Sequence, residues 1–178
     1  MAHGNLNPLA RYMGKPGSER LGGLDFAEYQ ERQALHAKAE ELALIEAPKV
    51  FDVARTTAGS AKNFICDTGG SICEVLDPIK NNNLLSAMSR RMLFVYIEAE
   101  EDYDDVLIER FKKDPKPMYY RPDFLSAKWA EYLDERSLEA SQVNPNDFAV
   151  WGFRALLKHR RPLYQSIARR WGVKISAK

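Results

Sequence analysis

A run of six apolar residues, Met92-Leu93-Phe94-Val95-Tyr96-Ile97, limits the folds open to this chain more than any other segment. A strand with one face in water alternates apolar and polar residues, whereas this run is continuously apolar. Continuous runs of this length are typical of a parallel strand that is covered on both faces. We therefore predict an interior parallel strand over 92–97, beside a second strand that ends at Asp67.

Helical patterns surround this strand. Six helical segments are predicted: from Asp25 to Pro48, shortly after Pro48, over 79–90, after the acidic residues 98–102, over 124–138 and over 146–170. A last strand is predicted over 172–177. Asp25 followed by Glu28 has the spacing of a capping box, and Pro48 is expected to interrupt or kink the first helix. Strands that alternate with helices indicate a mainly parallel sheet. The predicted fold class is α/β, mostly helical with a small parallel sheet.

The sequence predicts two regions of different character, a short N-terminal segment and the rest of the chain. Residues 1–24 are rich in turn formers and show no sustained periodicity, which predicts an irregular N-terminal arm. Residues 25–178 are expected to form a single α/β domain, since a chain of 178 residues can bury a core of its own.

Composition argues against several classes of function. The chain has 26 basic and 25 acidic residues, a formal net charge of +1. This balance argues against a general electrostatic attraction to nucleic acid or to an anionic membrane surface. No signal peptide or membrane-spanning stretch is apparent, which predicts a cytoplasmic protein. Cys66 and Cys73 are then expected to be free, buried thiols. The three histidines are far apart in sequence, so no metal site is predicted.

Three segments, in this order, carry a resemblance to a known family. They are Phe64-Ile65-Cys66-Asp67-Thr68-Gly69-Gly70-Ser71, then Leu93-Phe94-Val95-Tyr96-Ile97-Glu98-Ala99 with a basic loop after it, then His159-Arg160-Arg161-Pro162-Leu163-Tyr164 ahead of Val173-Lys174-Ile175-Ser176. Together they resemble the C-terminal half of shikimate kinase and its P-loop kinase relatives, and also a poorly characterised group of bacterial P-loop ATPases. The resemblance covers roughly residues 62–178. It implies a partial P-loop NTPase-like fold.

The resemblance also implies a substrate site. In the family a glycine turn at the end of a parallel strand contacts the acceptor substrate, which implies that role for Asp67, Gly69 and Gly70. Arg160 stands where the family uses an arginine to hold a substrate anion, and a planar guanidinium suits that task. The alternatives are a tight strand-to-helix turn for the glycines and a surface arginine near a helix end for Arg160. No catalytic residue is predicted.

Residues 112–124 occupy the place of the family's mobile lid, which closes over the nucleotide phosphates. By resemblance, the phosphates would be contacted by Lys112, Lys113, Lys116 and Arg121. Three prolines and the lack of any period predict a loop that is poorly tied to the core and mobile. The alternative is a solvated basic loop that Tyr119 and Tyr120 anchor permanently.

The family's phosphate-binding loop is missing. Its pattern is GxxxxGKS/T, whereas Gly14-Lys15 is followed by Pro16, which has no amide hydrogen to donate. The lack of this strand and loop, known as Walker A, predicts a fragment: the substrate and lid portion of a P-loop kinase or ATPase. ATP, Mg²⁺ and an unidentified small-molecule substrate would then bind only the full-length protein.

A catalytically silent interaction module that retains the kinase-like fold is the alternative interpretation of the sequence. The dense charge of the 25–47 helix, together with Trp129 and Trp151, would then form a surface for a partner protein or a second copy of the chain.

Overall fold

The computed structural model describes residues 7–57, 65–66, 70–80, 82–100 and 103–177. Over these residues the chain is mostly helical with one small parallel sheet, which confirms the α/β class. The elements are α1 (Asn7–Met13), α2 (Phe26–Thr57), α3 (Ile72–Val75), α4 (Asn82–Ser89), β1 (Phe94–Glu98), α5 (Tyr103–Lys113), α6 (Pro122–Arg136), α7 (Pro145–Trp171) and β2 (Gly172–Ser176). Short 3-10 helices occupy Glu19–Leu21 and Ala140–Gln142.

Helix α2 begins where the sequence predicts and ends later. The Asp25 carboxylate accepts a hydrogen bond from the amide of Ala27 at 2.8 Å, which confirms the N-cap. The Glu28 carboxylate pairs with Arg32, one turn further along. The helix continues past Pro48 to Thr57, so the predicted interruption is wrong. A proline removes one helical hydrogen bond, and here the residues on either side of it keep the helical conformation.

The segment predicted as an irregular arm contains regular structure. Helix α1 is followed by a tightly bonded turn over residues 14–24, in which Leu24 N donates to Lys15 O at 2.9 Å and Gly17 N donates to Leu24 O at 2.9 Å. Ser18 N donates to Val143 O at 2.8 Å, which fixes the turn to a residue far along the chain. These backbone bonds replace side-chain periodicity as the source of order, and so the sequence pattern did not reveal them.

The chain divides into two compact units, each made of two separate stretches. The first unit comprises Met1–His36 and Glu100–His159, and the second comprises Ala37–Ala99 and Arg160–Lys178. The sequence predicted one domain over 25–178. Two of the three boundaries between the units fall inside α2 and α7, and the third lies between β1 and α5.

The core of the first unit is aromatic. Phe148 on α7 is 1% exposed, and its ring meets those of Trp129 and Tyr132 on α6 edge to face, with centroids 4.9 and 5.2 Å apart. Such pairs contribute about 0.5–1.5 kcal/mol beyond the burial of their area. Trp129 is only 6% exposed, which corrects the expectation that it lies on a partner surface. Tyr29 and Tyr120 extend the same cluster.

The second unit has an aliphatic core. Its buried members are Leu44, Ile72, Cys73, Leu76, Leu85, Met88 and Ile167. Cys73, Leu76 and Leu85 are fully buried, so the short helices α3 and α4 are packed into this core.

The sheet consists of β1 and β2, which run parallel with Phe94 opposite Gly172 and Glu98 opposite Ser176. The final strand and the parallel direction are therefore confirmed. The expected neighbour, a strand ending at Asp67, is wrong where the structure describes it, because Ile65 and Cys66 are not in a strand and are exposed. Asp67 itself lies outside the described residues.

Burial along β1 alternates, contrary to the prediction of two covered faces. Phe94 and Tyr96 are half-buried on one face, and the Tyr96 ring stacks on Tyr164 with centroids 5.3 Å apart. On the other face Val95 and Ile97 are 51% and 61% exposed. The continuous apolar sequence predicted a cover for both faces, and the structure covers only one of them.

Candidate functional site

The structure brings together two of the four predicted substrate-binding residues. Gly70 lies in the turn before α3, and Arg160 lies within α7. A Cβ added to Gly70 would lie 3.0 Å from Nη1 of Arg160 and 3.4 Å from the Tyr164 hydroxyl. The Tyr164 hydroxyl donates a hydrogen bond to Gly70 O. The other two predicted residues, Asp67 and Gly69, lie outside the described residues.

Arg160 is a buried residue in the middle of a helix, which rules out the alternative of a surface arginine at a helix end. Its Nε donates to Oε1 of Glu74, and the two side chains are 8% and 0% exposed. Removing one partner of such a pair leaves an uncompensated buried charge, which is strongly destabilising. A substrate anion at this place would have to share the guanidinium with Glu74.

Two weak acids border this ion pair. Burial raises the pKa of the Cys73 thiol to about 12, although the nearby Arg160 charge lowers it in part. Burial also raises the pKa of the Tyr164 hydroxyl, and the adjacent Cys73 adds to that effect. Both groups therefore stay protonated near neutral pH, and since the thiolate is the reactive form of cysteine, Cys73 is not an activated nucleophile.

The predicted phosphate-binding cations are spread over three elements. Lys112 and Lys113 end helix α5, Lys116 lies in the following loop, and Arg121 precedes helix α6. The Lys112 ammonium lies 2.6 Å from the Glu109 carboxylate, and that of Lys116 lies 3.7 Å from Asp114. Both ion pairs are exposed to solvent, so they hold the lysines weakly.

The second half of the predicted lid is fixed to the core. Met118 O accepts hydrogen bonds from the Tyr29 hydroxyl at 2.9 Å and from Gln33 Nε2 at 3.1 Å. Gln33 Oε1 in turn accepts the amide of Tyr120 at 3.0 Å. Tyr119 and Tyr120 are 8% and 2% exposed. The prediction of a loop poorly tied to the core is therefore wrong for residues 118–120, and the alternative of a tyrosine anchor is right there.

Sequence reasoning missed the residue that fixes this loop. Gln33 is 2% exposed, and it uses both ends of its amide to bond backbone more than eighty residues away. A polar residue among the inward positions of an amphipathic helix is the signal that could have revealed it, because buried polar side chains are almost always hydrogen-bonded.

Neither a metal-binding cluster nor a membrane-spanning helix is found in the part of the chain that the structure describes. Within it, no three His, Cys, Asp or Glu side chains gather in a way that could hold a metal ion. Over the same residues, no helix combines the length and the apolar character needed to cross a membrane.

Comparison of the chain with protein-family models, with curated proteins and with solved structures found no match.

Proposed function

We propose that this chain is the substrate-binding and lid portion of a cytoplasmic P-loop ATPase or small-molecule kinase. The observation that supports this most is the sheet, in which β1 and β2 are parallel and Val95, Ile97, Val173 and Ile175 leave one face 41–61% exposed. Parallel sheets occur almost only where helices cover both faces, and two strands alone are marginally stable. Such a pair belongs in a larger parallel sheet, which is also the setting of a phosphate-binding loop between strand and helix.

In this proposal the Gly70 turn and Arg160 line the acceptor-substrate side, with the guanidinium shared between Glu74 and a substrate anion. The ATP phosphates would be contacted by Lys112, Lys113, Lys116 and Arg121. Two of these lysines would have to leave their carboxylates, which costs little because exposed ion pairs contribute at most about 1 kcal/mol. ATP and Mg²⁺ depend on a Walker A loop that these 178 residues lack.

Two nucleotide assays test the proposal. The complete natural gene product is expected to hydrolyse ATP with Mg²⁺, and replacing Lys112, Lys113 and Lys116 by Gln is expected to raise the KM for ATP by roughly tenfold or more. Lys158→Gln, an exposed change on α7, is the control and should leave KM unchanged. Absence of both ATP binding and hydrolysis in the complete product would contradict the proposal. Calorimetry on the 178-residue chain alone should detect weak or no ATP binding.

A second candidate is an interaction module without catalysis, and the same bare sheet face favours it. Four branched apolar side chains on one face of a parallel sheet form a surface that an amphipathic helix covers well. The partner would then be a protein that supplies such a helix. Ile97→Lys should abolish binding to that partner, and under this candidate the complete gene product shows no ATP hydrolysis.

A further inference from the structure

We propose that a cavity in the first unit binds a small molecule through its phosphate or carboxylate group, with Arg11 and Lys15 as the anion-binding side chains. The cavity has a volume of about 410 Å³. Small-molecule sites commonly measure roughly 300–1,000 Å³. Helix α1 contributes Arg11, the 14–24 turn contributes Lys15, and the first turn of α7 contributes Asn146.

Lys15 is held in position at the cavity. Its ammonium donates to Oδ1 of Asn146 at 2.6 Å. An ammonium has three N–H donors, so one bond to Asn146 leaves donors for a ligand. Desolvation lowers the pKa of Lys15, while the Asp114 charge acts in the opposite direction. An oxyanion in the cavity would compensate a positive charge that has already lost part of its hydration.

The backbone that carries Lys15 is tightly constrained. Gly14 has φ 59°, and a Cβ there would lie 2.5 Å from Cδ1 of Leu24. Gly17 has φ 143°, and a Cβ there would lie 2.7 Å from Val143 O. Lys15 O also accepts the Leu24 amide. Glycine adopts positive φ readily, and a Cβ at either position would collide with its neighbours, so both positions require glycine. The turn therefore presents Lys15 in a fixed position before any ligand arrives.

The lining determines the class of ligand. A planar guanidinium and a compact ammonium are the two side chains that proteins use most for carboxylate and phosphate groups. Leu21, Pro117 and Pro145 give the cavity an apolar wall for the body of the molecule. Asp114 reduces the positive field at Lys15, which favours a ligand with one oxyanion group over a polyanion such as nucleic acid.

Nuclear magnetic resonance titration of the 178-residue chain tests this site without any nucleotide, so its outcome is independent of the proposed P-loop function. Inorganic phosphate and butyrate, each with one anionic group, are the two probes. We expect saturable shifts of the Gly14, Lys15 and Gly22 amides with at least one probe, and the probe that binds identifies the anionic group. Lys15→Gln is expected to weaken binding roughly tenfold or more. Lys158→Gln, in the same unit but away from the cavity lining, should leave it unchanged.

Arg11→Gln provides a second variant if Lys15→Gln fails to fold, because Arg11 is exposed on α1. It should also weaken binding by roughly tenfold. The proposal is overturned if neither probe gives saturable shifts, if both cavity variants bind as the unchanged chain does, or if Lys158→Gln weakens binding as much as they do.

Discussion

Replacing Gln33 by Leu removes a side chain that, together with Tyr29, holds residues 118–120 to helix α2. Two hydrogen bonds are lost, to Met118 O and from the Tyr120 amide, and Tyr120 is 2% exposed. Each bond contributes about 1 kcal/mol, and a buried amide that loses its acceptor costs about 1–3 kcal/mol, of which a relaxed loop recovers part. We expect the free energy of unfolding to fall by about 2–4 kcal/mol. For a chain of this size each kcal/mol lowers Tm by roughly 2–4 °C.

Urea unfolding measures this loss, and hydrogen exchange locates it. Exchange at the Tyr120 amide should accelerate with the loss of Gln33, whereas exchange in α6 should change only through global stability. Gln30→Leu is the matched control, because Gln30 lies one turn earlier on α2 and makes an exposed bond to Ser126 at 3.1 Å. That variant should stay within about 0.5 kcal/mol of the unchanged chain. A Gln33→Leu variant equally close to it would refute the anchor.

Four further outcomes follow from contacts and burial described above. Arg160→Met leaves the buried Glu74 without this partner and is expected to cost about 3–5 kcal/mol in urea unfolding, so a loss below about 1 kcal/mol would contradict it. Gly14→Ala is expected to cost about 1–3 kcal/mol by the same assay, from its φ of 59° and the contact with Leu24. Cys73 is buried and should react with a thiol reagent far more slowly than the exposed Cys66 does. Because its pKa rises from 9.0 to about 12 on folding, its contribution to stability is present below pH 9 and is lost as the pH rises towards 12, which pH-dependent unfolding measures.

Gly22→Ala separates two causes of the Gly14 effect. Gly22 has φ 78°, and nothing lies within 4 Å of a Cβ added there. Its substitution should therefore cost only the conformational part, about 1–2 kcal/mol. An equal loss in both variants would mean that the contact with Leu24 contributes nothing.

The start of α2 and helices α6 and α7 could be predicted because local signals determine them. Asp25 as an N-cap and the helical patterns predicted over 124–138 and 146–170 agree with α2, α6 and α7. The cover of β1 could not be predicted, because an apolar residue has the same sequence signature whether its face is covered or bare. Val95 and Ile97 are exposed for a tertiary reason, which is that no helix of the described chain lies over them.

The candidate sites were harder to predict because their partners are distant in sequence. Arg160 was singled out, but its buried partner Glu74 was not, since nothing within the segment around residue 74 indicates an ion pair across 86 residues. Gly14-Lys15 was considered only as a failed Walker A motif. Its bonded turn depends on the backbone of Val143, which no local pattern reveals.

The interleaving of the two units affects how this chain can fold during synthesis. Residues up to His36 belong with Glu100–His159, and residues Ala37–Ala99 belong with the last nineteen residues, Arg160–Lys178. Neither unit can be completed on the ribosome until its second stretch has emerged. At translation rates of about 5–20 residues per second, helix α1 and the start of α2 wait roughly six to twenty-five seconds for their core partners. Over that time Tyr29 and the apolar side chains of α2 remain open to chaperones and to neighbouring nascent chains.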